Sequence, residues 1–251
     1  MDKNIKYLIF DLDDTLLRKD KSLSPYTIDV LKRAQKKGYK IVFNTSRSQQ
    51  NSLTYINVVH PDYGIYNGGC LIVDKNQKEL FSITIDKDKT KKITKLLNTL
   101  CEKISIQTKE HFYASDKEYK GQNAIWTDFK DGIEEETYKI LCYSMDHDMI
   151  EKIADENGLE FQNYLNRGWH RLSIKGGTKW NGTLKLLELT GDTPDNVASF
   201  GDDFGDMEMI EKSGVGVAMK NSQPDVIKIA KNVTLSNDDD GAALFVEHNF
   251  L

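Results

Sequence analysis

Cysteine is scarce in this chain. Cys70, Cys101 and Cys142 are an odd number, with no close metal-type pairing. That usage suits reduced thiols in a cytosol better than a disulfide scaffold, and a cytoplasmic location is the expectation. Positive charge is not in excess either. A net charge of -5, with lysines interleaved among acids, argues against nucleic acid and against an anionic membrane surface as partners. No apolar run approaches membrane-spanning length, and the N-terminus enters a strand-like run too soon to hold a signal peptide. Internal repeats and low-complexity tracts are also missing. A soluble intracellular enzyme is the default expectation, and 251 residues are enough for two domains.

What is present starts with Tyr7-Leu8-Ile9-Phe10-Asp11-Leu12-Asp13-Asp14-Thr15-Leu16. Four apolar or aromatic residues read as a short buried strand, which runs directly into three carboxylates among four residues. Like charges close together disfavour ionisation, so a cation is expected beside them. Mg²⁺, which prefers oxygen ligands, is the natural candidate. A carboxylate can also act as a covalent nucleophile towards phosphorus.

The first part of the chain alternates strand and helix. Ser24-Pro25 reads as an N-cap with proline at the first helical position, and Ile28, Leu31 and Ala34 recur at helical spacing up to Gly38. Tyr39 to Phe43 reads as a strand ending in Asn44-Thr45-Ser46-Arg47, Gln49 to Val58 as a helix, and Tyr63 to Tyr66 as a strand before Asn67-Gly68-Gly69. Two further strand-like runs flank Asp74-Lys75-Asn76-Gln77. Alternation of this kind predicts a Rossmann-like, doubly wound parallel sheet, with functional loops at the carboxyl ends of the strands. The middle of the chain is richer in Lys and Glu and has no phosphate-type loop. Helices are expected there at Lys89 to Cys101 and Met149 to Asn157, with strands at Tyr138 to Tyr143, Glu160 to Tyr164 and Arg171 to Ile174. The economical division is a core of residues 1–83 and 175–251 interrupted by an inserted α+β domain, 84–174.

A second acidic loop, Gly201-Asp202-Asp203-Phe204-Gly205-Asp206, follows the strand Val197 to Phe200, with Gly201 expected to let the backbone turn sharply. Asp202 and Asp206 would share one face of a helix starting there, although acids in a first turn also simply complement the helix dipole. Two such loops, each at a strand's carboxyl end, could converge on one cation. Thr45 and Ser46 could donate to a phosphoryl oxygen or cap the following helix. Lys179 opens a helix, where the dipole disfavours a cation; it either helps hold an anion or is a solvated lysine.

In order, Asp11-x-Asp13, Thr45, Lys179 and Gly201-Asp202-x-x-x-Asp206 resemble the four motifs of the haloacid dehalogenase-like superfamily, and more specifically its Cof-like sugar-phosphatase branch. Asn67-Gly68-Gly69 resembles the Asn-Gly-Ala that precedes that branch's large α/β cap. The stretch Val215 to Asn221, followed by Asn237 to Ala242, resembles its carboxyl end. The resemblance implies a Mg²⁺-dependent phosphatase acting on a small phosphorylated metabolite such as a sugar phosphate. Asp11 would be the nucleophile and Asp13 the general acid and base. Mg²⁺ would be bound by Asp11, the Asp13 backbone carbonyl and Asp202, with Asp206 supporting the metal's shell. Thr45, Lys179 and the amides of Leu12 and Ser46 would hold the phosphate. The inserted cap would read the leaving group, with Trp169, His170 and Arg171 as its candidate contacts. A phosphotransferase or phosphomutase, or a phosphosugar-binding regulator with little catalysis, is the alternative. Two departures stand out: Ser46 where the family usually has glycine, and Gly205 where it usually has asparagine.

Overall fold

The computed structural model describes residues 4–118, 124–164 and 168–251. In chain order the first elements are β1 (Tyr7–Phe10), α1 (Pro25–Lys36), β2 (Lys40–Asn44), α2 (Leu53–Val59), β3 (Tyr63–Tyr66), β4 (Leu71–Asp74) and β5 (Glu79–Ser82). Then come α3 (Lys87–Leu100), β6 (Lys103–Thr108), β7 (Phe112–Ala114), β8 (Ala124–Trp126), β9 (Thr137–Tyr143), α4 (His147–Glu156), β10 (Leu159–Tyr164) and β11 (Trp169–Ile174). The chain closes with α5 (Lys179–Thr190), β12 (Val197–Gly201), α6 (Met207–Lys212), β13 (Val215–Ala218), α7 (Pro224–Ile229), β14 (Asn232–Val233) and α8 (Gly241–Phe250). They divide into two compact units, Met1–Phe81 with Thr178–Leu251, and Ser82–Gly177.

The first unit is an α/β sandwich on an eight-stranded sheet of order β14-β13-β12-β1-β2-β3-β4-β5. Strands β14 through β3 run parallel, and β4 turns back antiparallel on β3. Leu8, Ile9 and Phe10 are fully buried, as expected of a central parallel strand covered on both faces. One face packs Ile9, Val42 and Ile65 under Trp180, Leu186 and Leu187 of α5 and Met209 of α6. On the other side of the sheet Phe200 meets Phe245 of α8 edge-on, and α8 lies against α1. Each such side chain contributes roughly 1.5–3 kcal/mol on burial. Ser24 caps α1 by accepting from the Thr27 amide.

The chain leaves β1 in one direction towards β2 and β3, and later returns in the other through β12, β13 and β14. The reversal falls between β1 and β12, where open α/β sheets place their ligand crevice.

The inserted unit is a six-stranded sheet of order β10-β11-β9-β6-β7-β8 with α3 and α4 on one face. Ile104, Ile106, Ile140 and Leu172 pack there against Ile93, Leu97, Ile150 and Ile153. No helix among the described residues is long and apolar enough to cross a membrane.

Helix α5 lies unusually close to the loop after β3. A Cβ at Gly182 would come within 2.7 Å of Ile65 Cγ2 and 2.8 Å of the Gly69 Cα. Gly182→Ala is therefore expected to destabilise the fold by about 1–3 kcal/mol, the usual cost of overpacking, as read by urea denaturation. A midpoint equal to that of the parent chain would contradict this packing.

Candidate active site

Register brings the two acidic loops together. Phe10 of β1 pairs with Phe200 of β12, their rings stack at 4.7 Å, and the Asp11 amide donates to the Phe200 carbonyl. Asp11 and Gly201 thus leave the sheet side by side. After Asp11 the chain makes a single wide turn, Leu12–Leu16, closed by the Leu17 amide on the Leu12 carbonyl. Inside it Asp13 is extended and Asp14 sits in the left-handed region at φ 57°.

Lys179 opens α5, and its ammonium bridges Asp11 at 2.8 Å and Asp206 at 2.7 Å. All three side chains are buried. Asp206 spends its other oxygen on the amides of Asp202 and Asp203, each at 3.1 Å. It lies directly over Gly201, where a Cβ would fall 2.3 Å from its own Cβ. Close approach, not the sharp turn expected from sequence, is what glycine serves at 201. Asp202 accepts from the Thr15 hydroxyl at 2.6 Å.

Carboxylate oxygens of Asp11, Asp202 and Asp206 lie within 4.8 Å of one another. Three acids facing one ammonium leave negative charge uncompensated in a largely dry place. Burial accordingly pushes Asp11 up to about 7, with Lys179 opposing and Asp206 adding to the shift. Burial and the charges of Asp11 and Asp206 push Asp202 up to about 8. For Lys179 burial disfavours the charge, but the two carboxylates outweigh it and the ammonium is held firmly protonated. An all-oxygen donor set with excess negative charge fits a hard divalent cation.

The Asp13 carboxylate lies outside this cluster. Arg47 grips it with two bonds of 2.7 Å, and Lys21 adds a third contact at 3.0 Å. Burial would raise its pKa, but these cations prevail and hold it at about 2. Thr45 is buried at the end of β2, its amide on the Ile65 carbonyl and its hydroxyl accepting from the Arg47 amide. Ser46 is half-buried beside it, and Leu12 is fully buried. One position earlier, Asn44 donates to the Lys179 carbonyl at 2.9 Å and to the Thr183 hydroxyl at 3.0 Å, hooking the first turn of α5 to β2.

Residues 8–246 match the family model described as haloacid dehalogenase-like hydrolase. The chain belongs to the haloacid dehalogenase-like hydrolases. It is 26% identical over 266 residues to a 5-amino-6-(5-phospho-D-ribitylamino)uracil phosphatase of Bacillus subtilis, covering 97% of each chain. To a phosphoglycolate phosphatase of Methanococcoides burtonii it is 24% identical over 252 residues, covering 97% of this chain and 96% of the other. A haloacid dehalogenase-like hydrolase from Bacteroides thetaiotaomicron shares the fold at a TM-score of 0.84 and 23% identity, with 98% of this chain and 100% of that one aligned. The family and these relatives make the chain an enzyme of the phosphatase class.

In this haloacid dehalogenase-like chain the three residues singled out on β11 lie in the inserted unit and cannot act as one surface. Successive strand residues face opposite sides of a sheet. His170 is fully buried towards α4, with Nε2 at 3.0 Å from the Ser144 carbonyl and 3.1 Å from His147 Nδ1, and its ring stacks on Phe161. Trp169 and Arg171 point to the other face. Arg171, also buried, donates to Gln162 and to the Gly177 carbonyl, and Trp169 meets the Tyr143 ring edge-on. Sequence reasoning passes over Arg47, Lys21, Thr15 and Asn44. Of these only Arg47 carries a signal, as the third residue of the Thr45-Ser46-Arg47 stretch.

The Asp13–Arg47 pair should be visible in stability against pH. A carboxyl whose folded pKa lies below its ordinary 3.8 adds stability above that value and loses it as the pH falls to about 2. Arg47→Met is therefore expected to melt below the parent chain at pH 7, with the gap narrowing as the pH descends through this window. A gap independent of pH would contradict the pairing.

Proposed function

We propose that the chain is a Mg²⁺-dependent phosphatase that hydrolyses a small phosphorylated metabolite, a sugar phosphate, through an aspartyl-phosphate intermediate. The observation that carries this reading is the Lys179 ammonium held between Asp11 and Asp206 beside Asp202, where two neighbouring strands end. Asp11, Asp202 and the Asp13 backbone carbonyl would hold the Mg²⁺, with Asp206 supporting. The ion supplies charge neutralisation between an anionic nucleophile and an anionic phosphate.

Asp11 attacks phosphorus as the alkoxide departs, and water then cleaves the acyl phosphate. Lys179, Thr45 and the amides of Leu12 and Ser46 hold the equatorial oxygens; positioning and charge stabilisation dominate this chemistry. Asp13 protonates the leaving alkoxide and then draws a proton from the attacking water. A carboxyl held at about 2 is a poor acid, so the Arg47 grip is a resting arrangement that Asp13 leaves in order to work. Ser46 and Gly205 replace residues usual in the family without removing a group this chemistry requires. We assign substrate choice to the inserted unit, since every residue given a role in the phosphoryl transfer lies in the other unit.

The test is phosphate release from a panel of phosphorylated metabolites headed by sugar phosphates. Turnover is expected with Mg²⁺, none with excess chelator, and none from Asp11→Asn despite an unchanged fold by circular dichroism. Near-parental activity in Asp11→Asn would overturn the nucleophile assignment.

A further inference from the structure

The turn that carries Asp13 is braced from outside the four family motifs. Asp14 sits in the left-handed region at φ 57° without being glycine, a conformation that neighbouring contacts have to hold in place. Its carbonyl accepts from Asn221 Nδ2 at 2.7 Å. The same Asn221 accepts through Oδ1 from the Asn237 amide at 2.9 Å, and Asn237 Nδ2 donates to the Leu17 carbonyl at 2.9 Å. Two asparagines thereby clasp the turn at its middle and at its exit. Arg18, the next residue, is tied to Asp240 at 2.6 Å.

The clasp also reaches the second acidic loop. The Met219 amide and the Ser222 hydroxyl bond the Gly201 carbonyl, and the Gln223 amide bonds the Asp202 carbonyl at 3.0 Å. One short segment, Met219–Gln223, therefore grips the backbone of both loops whose carboxylates form the site. Asn221 is itself solvent-exposed and fills no core space.

We propose that Asn221, locked by Asn237, is a positioning residue for the general acid: the pair fixes the backbone that follows Asp13, at Asp14 and Leu17, so that proton delivery needs only a side-chain rotation away from Arg47. This rests on the reading of Asp13 as the acid. Loss of the clasp lets the turn shift, which misplaces the proton donor more than it disturbs the nucleophile, since Asp11 is anchored separately to β12 and Lys179.

Leaving-group dependence separates positioning from mere support. An alkoxide needs a proton to depart, whereas a nitrophenolate leaves without one. Asn221→Ala is expected to lose about tenfold more kcat/KM on a hexose phosphate than on p-nitrophenyl phosphate, a fraction of the 10²–10⁴-fold that general acids contribute. Asn221→Asp keeps the shape and the Asn237 contact but cannot donate to Asp14, so it is expected to show the same split. Equal losses on both substrates, or no loss on either, would overturn the proposal. Magnesium-independent turnover, or none, in the parent chain would instead overturn the proposed metal-assisted mechanism, and this inference would fall with it.

Discussion

Two carboxylates, Asp11 and Asp206, share one buried ammonium where β1 and β12 end, with a third, Asp202, beside them, and the rest of the first unit is arranged so that they can. Such a cluster is unstable by itself: Asp11 and Asp202 are both pushed towards the protonated form, and Lys179 compensates only in part. Breaking a buried pair by deleting one partner typically costs about 3–5 kcal/mol, and pairs of this kind are poor stabilisers even when intact. At the sheet's switch point such an all-oxygen cluster could hold a divalent cation.

The surrounding backbone keeps the cluster tight. Gly201 lets Asp206 fold over the strand end, and Gly69 and Gly182 let α5 come close enough for Lys179 to reach both acids. A Cβ at Gly69 would lie 1.9 Å from the Thr178 carbonyl, at the very entrance to α5. Asn44 then fastens that entrance to β2, next to Thr45. At Gly69, Gly182 and Gly201 one partner in each close contact has no side chain that could drift between rotamers.

Much of this is legible in the chain because it is written locally. A fully apolar strand ending in acids encodes both the burial of β1 and the location of the charge, and Ser24-Pro25 encodes the start of α1. The parallel core follows from alternation alone. Other parts depend on partners remote in sequence. Arg47 and Asp13 are 34 residues apart, and Asn221 reaches Asp14 across 207. The last helix, α8, escapes a reading of the sequence because Gly241 to Val246 offers small and apolar residues with no polar face, and the acidic run before it suggests a loop. In the inserted unit, β6, β7 and β8 escape it too; β6 is buried on both faces beyond Lys103, so its alternation is blunted. The trio on β11 reads as one patch in the sequence, although a strand's pleat separates His170 from its neighbours.

The chemistry of the site depends on whether the acids at the ends of β1 and β12 grip one divalent ion. Calorimetric titration with Mg²⁺, backed by Mn²⁺ electron paramagnetic resonance, measures this directly. One ion per chain is predicted, with binding lost in Asp202→Asn while the circular dichroism spectrum is retained. Parental affinity in that variant, or no binding by the parent chain, would contradict the central claim.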